Sequence, residues 1–97
     1  MTTQNKVGRA RLHLVISGRV QGVGFRFSAY DEAKELALAG WVRNVAGGEV
    51  EIAAEGSREN LQMLAAWAHL GPPSAHVTEV REEWADFTGE FIEFRIR

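Results

Sequence analysis

The chain has 97 residues, 45 % of them hydrophobic and 25 % charged, which suits one soluble domain and leaves no room for a second core. No apolar run approaches the roughly 20 residues of a spanning helix, and a net charge of −2 argues against nucleic-acid binding driven by phosphate neutralisation. With no Cys, a disulfide framework, a thiolate nucleophile, a Cys-ligated zinc site and an iron–sulfur cluster are all excluded.

Residues 1–10 are polar and unpatterned, so a flexible tail is expected there and a single domain over 11–97. The opening Met1-Thr2-Thr3-Gln4-Asn5-Lys6 lacks the apolar core of a secretion signal, and a cytoplasmic location is expected. From Arg11 to Ser17, Leu12, Leu14 and Ile16 alternate with other residues, predicting a half-buried strand. Gly18 to Gly24 is too glycine-rich for the interior of any element. Beyond Arg26 the period turns helical, with Ala29, Ala33, Leu36 and Ala37 on one face and Gly40 as the expected stop.

Trp41 to Asn44 and Glu49 to Glu55 are β-prone and flank a turn at Val45-Ala46-Gly47-Gly48, predicting a hairpin. Ser57 is a suitable N-cap for a second helix whose Leu61, Leu64, Ala65 and Ala68 share a face, and Gly71-Pro72-Pro73 ends it. Val77 to Trp84 alternates imperfectly, so a strand with a bulge near Val80 is expected. Ile92, Phe94 and Ile96 then alternate with Glu93, Arg95 and Arg97 in a terminal strand. This order predicts an α+β domain of the ferredoxin-like split βαβ type: βαββαβ plus a short C-terminal strand, with two helices on one face of a mainly antiparallel sheet. Such an architecture hosts many functions, so function must come from the site.

The chemistry points to Gly18-Arg19-Val20-Gln21-Gly22-Val23-Gly24-Phe25-Arg26, between a strand and a helix. Glycines there allow several backbone amides to converge, and the helix N-terminus adds partial positive charge, both favouring an anion. Arg26 could add a bidentate guanidinium; a structural tight turn with a solvated arginine is the competing reading. A dinucleotide fingerprint fails because Phe27 occupies its third glycine position, and the Gly-Lys-Ser/Thr ending of a nucleotide P-loop is absent. A faint likeness to the RNA-recognition octapeptide fails, because that octapeptide belongs on a third strand and Val23 and Arg26 replace its required aromatic and aliphatic positions.

The stretch from Gly18 to Arg26 instead resembles the first signature of the acylphosphatase family, Gly-x-Val-Gln-Gly-Val-x-Phe-Arg. Gly40-Trp41-Val42-Arg43-Asn44 with Gly48-Glu49-Val50 resembles its second, and Gly71-Pro72-Pro73-Ser74-Ala75 with Val77 and Val80 also looks like the family. The likeness spans 11–97; Gly47 departs from it, since many relatives have Asp in this turn. The resemblance implies hydrolysis of a small-molecule acyl phosphate to carboxylate and inorganic phosphate, with no metal and no cofactor. It implies that Arg26 binds the phosphate and Asn44 orients the attacking water, with Gly18, Arg19, Val20, Gln21, Gly22, Val23, Gly24 and Phe25 forming the phosphate-binding loop. Arg26 and Asn44, 18 residues apart, are expected at one end of the sheet.

A second reading is a non-catalytic phosphate-binding module of the same fold. Acylphosphatase-like domains also open larger, cysteine-rich hydrogenase-maturation carbamoyltransferases, and a chain of this length without Cys is expected to be the free-standing, monomeric enzyme, with neither nucleic acid nor membrane as partner. His13, His69 and His76 have no metal-ligand spacing. Asp31-Glu32 and Glu82-Glu83 read as solvated faces, and Trp41, Trp67 and Trp84 as packing residues. Ser17 and Ser28 lack a His–acid relay.

Overall fold

A computed structural model describes residues 8–97. Its elements are β1 (Arg9–Arg19), α1 (Phe25–Glu35), β2 (Ala39–Asn44), β3 (Val50–Ser57), α2 (Arg58–Ala68), β4 (His76–Ala85) and β5 (Phe94–Ile96). They form a five-stranded sheet in the order β4-β1-β3-β2-β5. All neighbours are antiparallel except β2 and β5. This is the expected ferredoxin-like arrangement, with α1 over β2 and β5 and α2 over β1 and β3.

The alternation in β1 sends Ala10, Leu12, Leu14 and Ile16 to the helical face, all fully buried. There they meet Val42, Val50, Ile52 and Ala54 from the sheet and Ala29, Ala33, Leu61 and Leu64 from the helices. Each large aliphatic chain so buried contributes about 1.5–3 kcal/mol. Phe25 and Trp67 meet at ring centroids 5.2 Å apart and pack α1 against the end of α2. The other face of the sheet is polar: Glu51 accepts from His13 Nε2 at 2.5 Å and from Arg43 Nε at 2.7 Å. Trp41 sits beneath the guanidinium groups of Arg43 and Arg97, while Trp67 and Trp84 pack partly buried against the core.

Several boundaries differ from expectation. β1 starts at Arg9, so Arg9 and the buried Ala10 belong to the sheet and not to the tail; Gly8 is an exposed turn residue, and 1–7 lie outside the described residues. Gly40 is not the stop of α1. The helix ends at Glu35 and turns through Ala37 at φ 55°, whereas Gly40 lies within β2, where a Cβ would fall 1.9 Å from the Ala53 carbonyl oxygen. The irregularity in β4 falls at Thr78, because Ser17 pairs with Glu79 but Gly18 with Val77. Ile92 is 95 % exposed and outside β5, which begins at Phe94.

Between β4 and β5 the chain runs as a strap, 86–93, across the polar face near the start of β1. Glu55, only 3 % exposed, anchors it. Glu55 Oε2 accepts from the Thr88 amide at 2.9 Å, the Thr88 hydroxyl at 2.7 Å and Arg11 Nη1 at 3.2 Å, and Oε1 accepts from the Gly89 amide at 2.9 Å. Burial alone would raise the Glu55 carboxyl; these bonds, led by the Thr88 hydroxyl, outweigh it and hold the group below the usual carboxylate range.

Candidate active site

At the opposite end of the sheet, β1 leads into a tight loop that becomes α1. Gly22 and Gly24 adopt φ of 75° and 81° with nothing within 4 Å of a would-be Cβ, so backbone conformation alone calls for glycine there. Gly24 is the N-cap of α1 and offers no side chain to the first turn, which also holds no acidic residue. The amide of Ser28 is the first to bond back, to the Gly24 carbonyl at 3.1 Å. Among the described residues, the amides of Gly22 through Phe27 have no carbonyl partner. Unpartnered amides at a helix N-terminus form a concavity suited to an anion.

The remaining expected loop residues divide by role. Gly18 and Arg19 are still in β1, paired with Val77 and His76. Gly18 permits close approach, since a Cβ would lie 2.2 Å from the His76 carbonyl oxygen. Val20 and Phe25 bury their side chains in the core, at 1 % and 2 % exposure, and Val23 packs partly buried against it. These three therefore offer the loop only their backbone. Gln21 turns its side chain away towards the β2–β3 turn, where Nε2 donates to the Val45 carbonyl at 2.8 Å and to the Glu49 carbonyl at 2.9 Å.

Arg26 stands in the first turn of α1, half-buried, and its Nη1 donates to the Arg97 main-chain oxygen at 3.2 Å. The Arg97 amide in turn donates to the Val42 carbonyl at 2.8 Å. One residue thus separates the guanidinium from β2, two positions before Asn44. Asn44 is the last residue of β2, exposed, and pairs with Val50. The strand order puts the β1–α1 loop, the β2–β3 turn and the end of β5 together, so Arg26 and Asn44 share one end of the sheet as expected. A guanidinium has five N–H donors, and the Arg97 main-chain oxygen occupies one of its nitrogens. Among the described residues no group of three His, Asp or Glu side chains could hold a metal ion. His13 sits on the polar face bound to Glu51, and His69 and His76 are exposed.

The acylphosphatase family model matches residues 12–96. The chain belongs to the acylphosphatase family. An acylphosphatase from Pelotomaculum thermopropionicum is 49 % identical over 90 residues, covering 93 % of this chain and 98 % of the relative. One from Thermococcus kodakarensis is 52 % identical over 81 residues, covering 84 % and 89 % of the two chains. The solved acylphosphatase of Coxiella burnetii superposes with a TM-score of 0.90 at 38 % identity, over 98 % of this acylphosphatase-family chain and the whole of the other.

Proposed function

We propose that Arg26 and the loop from Gly22 to Phe25 hold the phosphate of an acyl phosphate while Asn44 orients the water that attacks it. As a member of its family the chain is a hydrolase of acid anhydrides, cleaving a small-molecule acyl phosphate to carboxylate and inorganic phosphate. The observation that carries the assignment of residues is the joining, at one end of the sheet, of amides and arginine N–H donors that have no partner among the described residues with an exposed asparagine. Water adds to phosphorus as the bond to the carboxylate oxygen breaks, and the water's proton passes to a non-bridging phosphate oxygen. A carboxylate is a good leaving group, so positioning and charge stabilisation suffice without a covalent nucleophile or metal. The Asn44 amide both donates and accepts, fixing the water without adding a charge that would repel phosphate. The enzyme acts as a cytoplasmic monomer, with neither nucleic acid nor membrane as partner.

The test is hydrolysis of benzoyl phosphate in EDTA by wild type, Arg26→Ala and Asn44→Ala. The expected result is wild-type turnover unaffected by the chelator. Arg26→Ala loses both turnover and inhibition by phosphate. Asn44→Ala loses about 10²-fold or more in kcat, the usual cost of one transition-state hydrogen bond, while still binding phosphate. Phosphate binding by a folded wild type without turnover would instead make the chain a binding module.

A further inference from the structure

We infer that Gln21 is a positioning residue that fixes the Asn44 end of the β2–β3 hairpin to the phosphate loop, so that water and phosphate are held in one frame. The inference rests on Asn44 orienting the water. Gln21 lies within the loop in sequence, yet its side chain serves the hairpin. One nitrogen donates to two carbonyls, those of Val45 and Glu49. The same two carbonyls close the turn, with the Val45 amide donating to Glu49 at 2.9 Å and the Gly48 amide to Val45 at 3.2 Å. Val45 directly follows Asn44, so the Gln21 bonds act one peptide from the proposed water-orienting side chain.

The chemistry of this contact is selective. Two carbonyl oxygens can only accept, so the group facing them must present two N–H donors from one atom; they also fix which end of the Gln21 amide points to the turn. Glu has no donor when ionised, and Asn is one methylene too short for the same span. A cation would satisfy the carbonyls but add a charge that competes with Arg26 for the anion. A turn beginning Val45-Ala46-Gly47-Gly48, whose two glycines have φ near +100°, has little stiffness of its own. The two Gln21 bonds supply the restraint from outside.

The test is a double-mutant cycle in steady-state kinetics on benzoyl phosphate, with inorganic phosphate as inhibitor. Gln21→Met keeps the length and removes both donors. Its kcat should fall about 10–100-fold, as expected when reacting groups shift by about 1 Å, with phosphate inhibition within about twofold of wild type because the amides and Arg26 remain. In an Asn44→Ala background the same change should cost less than about threefold, since the group it positions is gone. Wild-type kcat in folded Gln21→Met, a loss fully additive with Asn44→Ala, or a parallel loss of phosphate inhibition would each overturn the role of Gln21. An Asn44→Ala enzyme as fast as wild type would overturn the assignment of Asn44 as well. If Gln21→Met does not fold, Gln21→Glu replaces it. Its carboxyl regains one donor on protonation, so its rate relative to wild type should climb as pH falls towards 5, and a flat ratio would overturn the inference.

Discussion

Replacing Glu55 by Gln tests the strap at its anchor. Four hydrogen bonds end on a carboxylate that is almost wholly buried, two from backbone amides and two from the side chains of Thr88 and Arg11. Bonds to a charged acceptor contribute about 1.5–3 kcal/mol each and neutral ones about 0.5–1.5 kcal/mol, and they are not additive. The amide keeps one accepting oxygen and turns an NH₂ towards donors, so the loss should be about 3 kcal/mol. In a domain of this size that lowers Tm by roughly 12–24 °C. Urea unfolding of both proteins from pH 7 to pH 3 measures it. Because the folded carboxyl is held below its ordinary value of 4.5, its contribution is complete above that value and lost as pH falls through the folded one. The gap between wild type and Glu55→Gln should therefore be full at pH 7 and shrink below about pH 4. Equal urea midpoints at pH 7, or a gap that persists in acid, would refute the reasoning.

Other substitutions separate charge, conformation and space. Arg26→Lys should recover no more than a few per cent of kcat/KM, because a point charge cannot reproduce the guanidinium fork; substantial activity would show that charge alone suffices. Gly22→Val, placed at φ +75° in open space, should cost about 1–2 kcal/mol in backbone strain and weaken phosphate inhibition, whereas unaltered inhibition would separate this glycine from anion binding. Gly40→Ala would put a Cβ onto the Ala53 carbonyl and should destabilise by more than about 3 kcal/mol, checked by urea unfolding; a near-native midpoint would mean that β2 can shift away from β3.

The regular parts of this fold were legible because local rules and tertiary packing agree. Leu12, Leu14 and Ile16 alternate and are all buried, and Ser57 caps α2 by accepting from the Asn60 amide at 3.1 Å. Gly40 shows where such rules stop. It sits where a helix-stopping glycine belongs, but its necessity comes from the Ala53 carbonyl on another strand, a contact that no local pattern reveals. Glu55 ends the β-prone stretch from Glu49, where nothing local marks it for burial; it is buried because the strap crosses over it. Arg26 and Asn44 stood out through paired motifs, which also contain Gln21. Its reach to Val45 and Glu49 depends on the pairing of β2 with β3, and the loop sequence alone gives no signal for it.

The strand order also sets when the site comes into being during folding. The β2–β3 hairpin closes locally, from Asn44 opposite Val50, whereas β1 must find β3 across separations that run from Ile16–Val50 out to Arg9–Ser57. Pairings so distant along the chain are slow to form, because loop closure precedes the contacts that reward it. The loop from Gly22 to Phe25 hangs from the end of β1, and the Gln21 side chain beside it gains its hairpin contacts only after that central pairing. Catalytic activity recovered during refolding should therefore follow the hairpin in time and report the completion of the sheet.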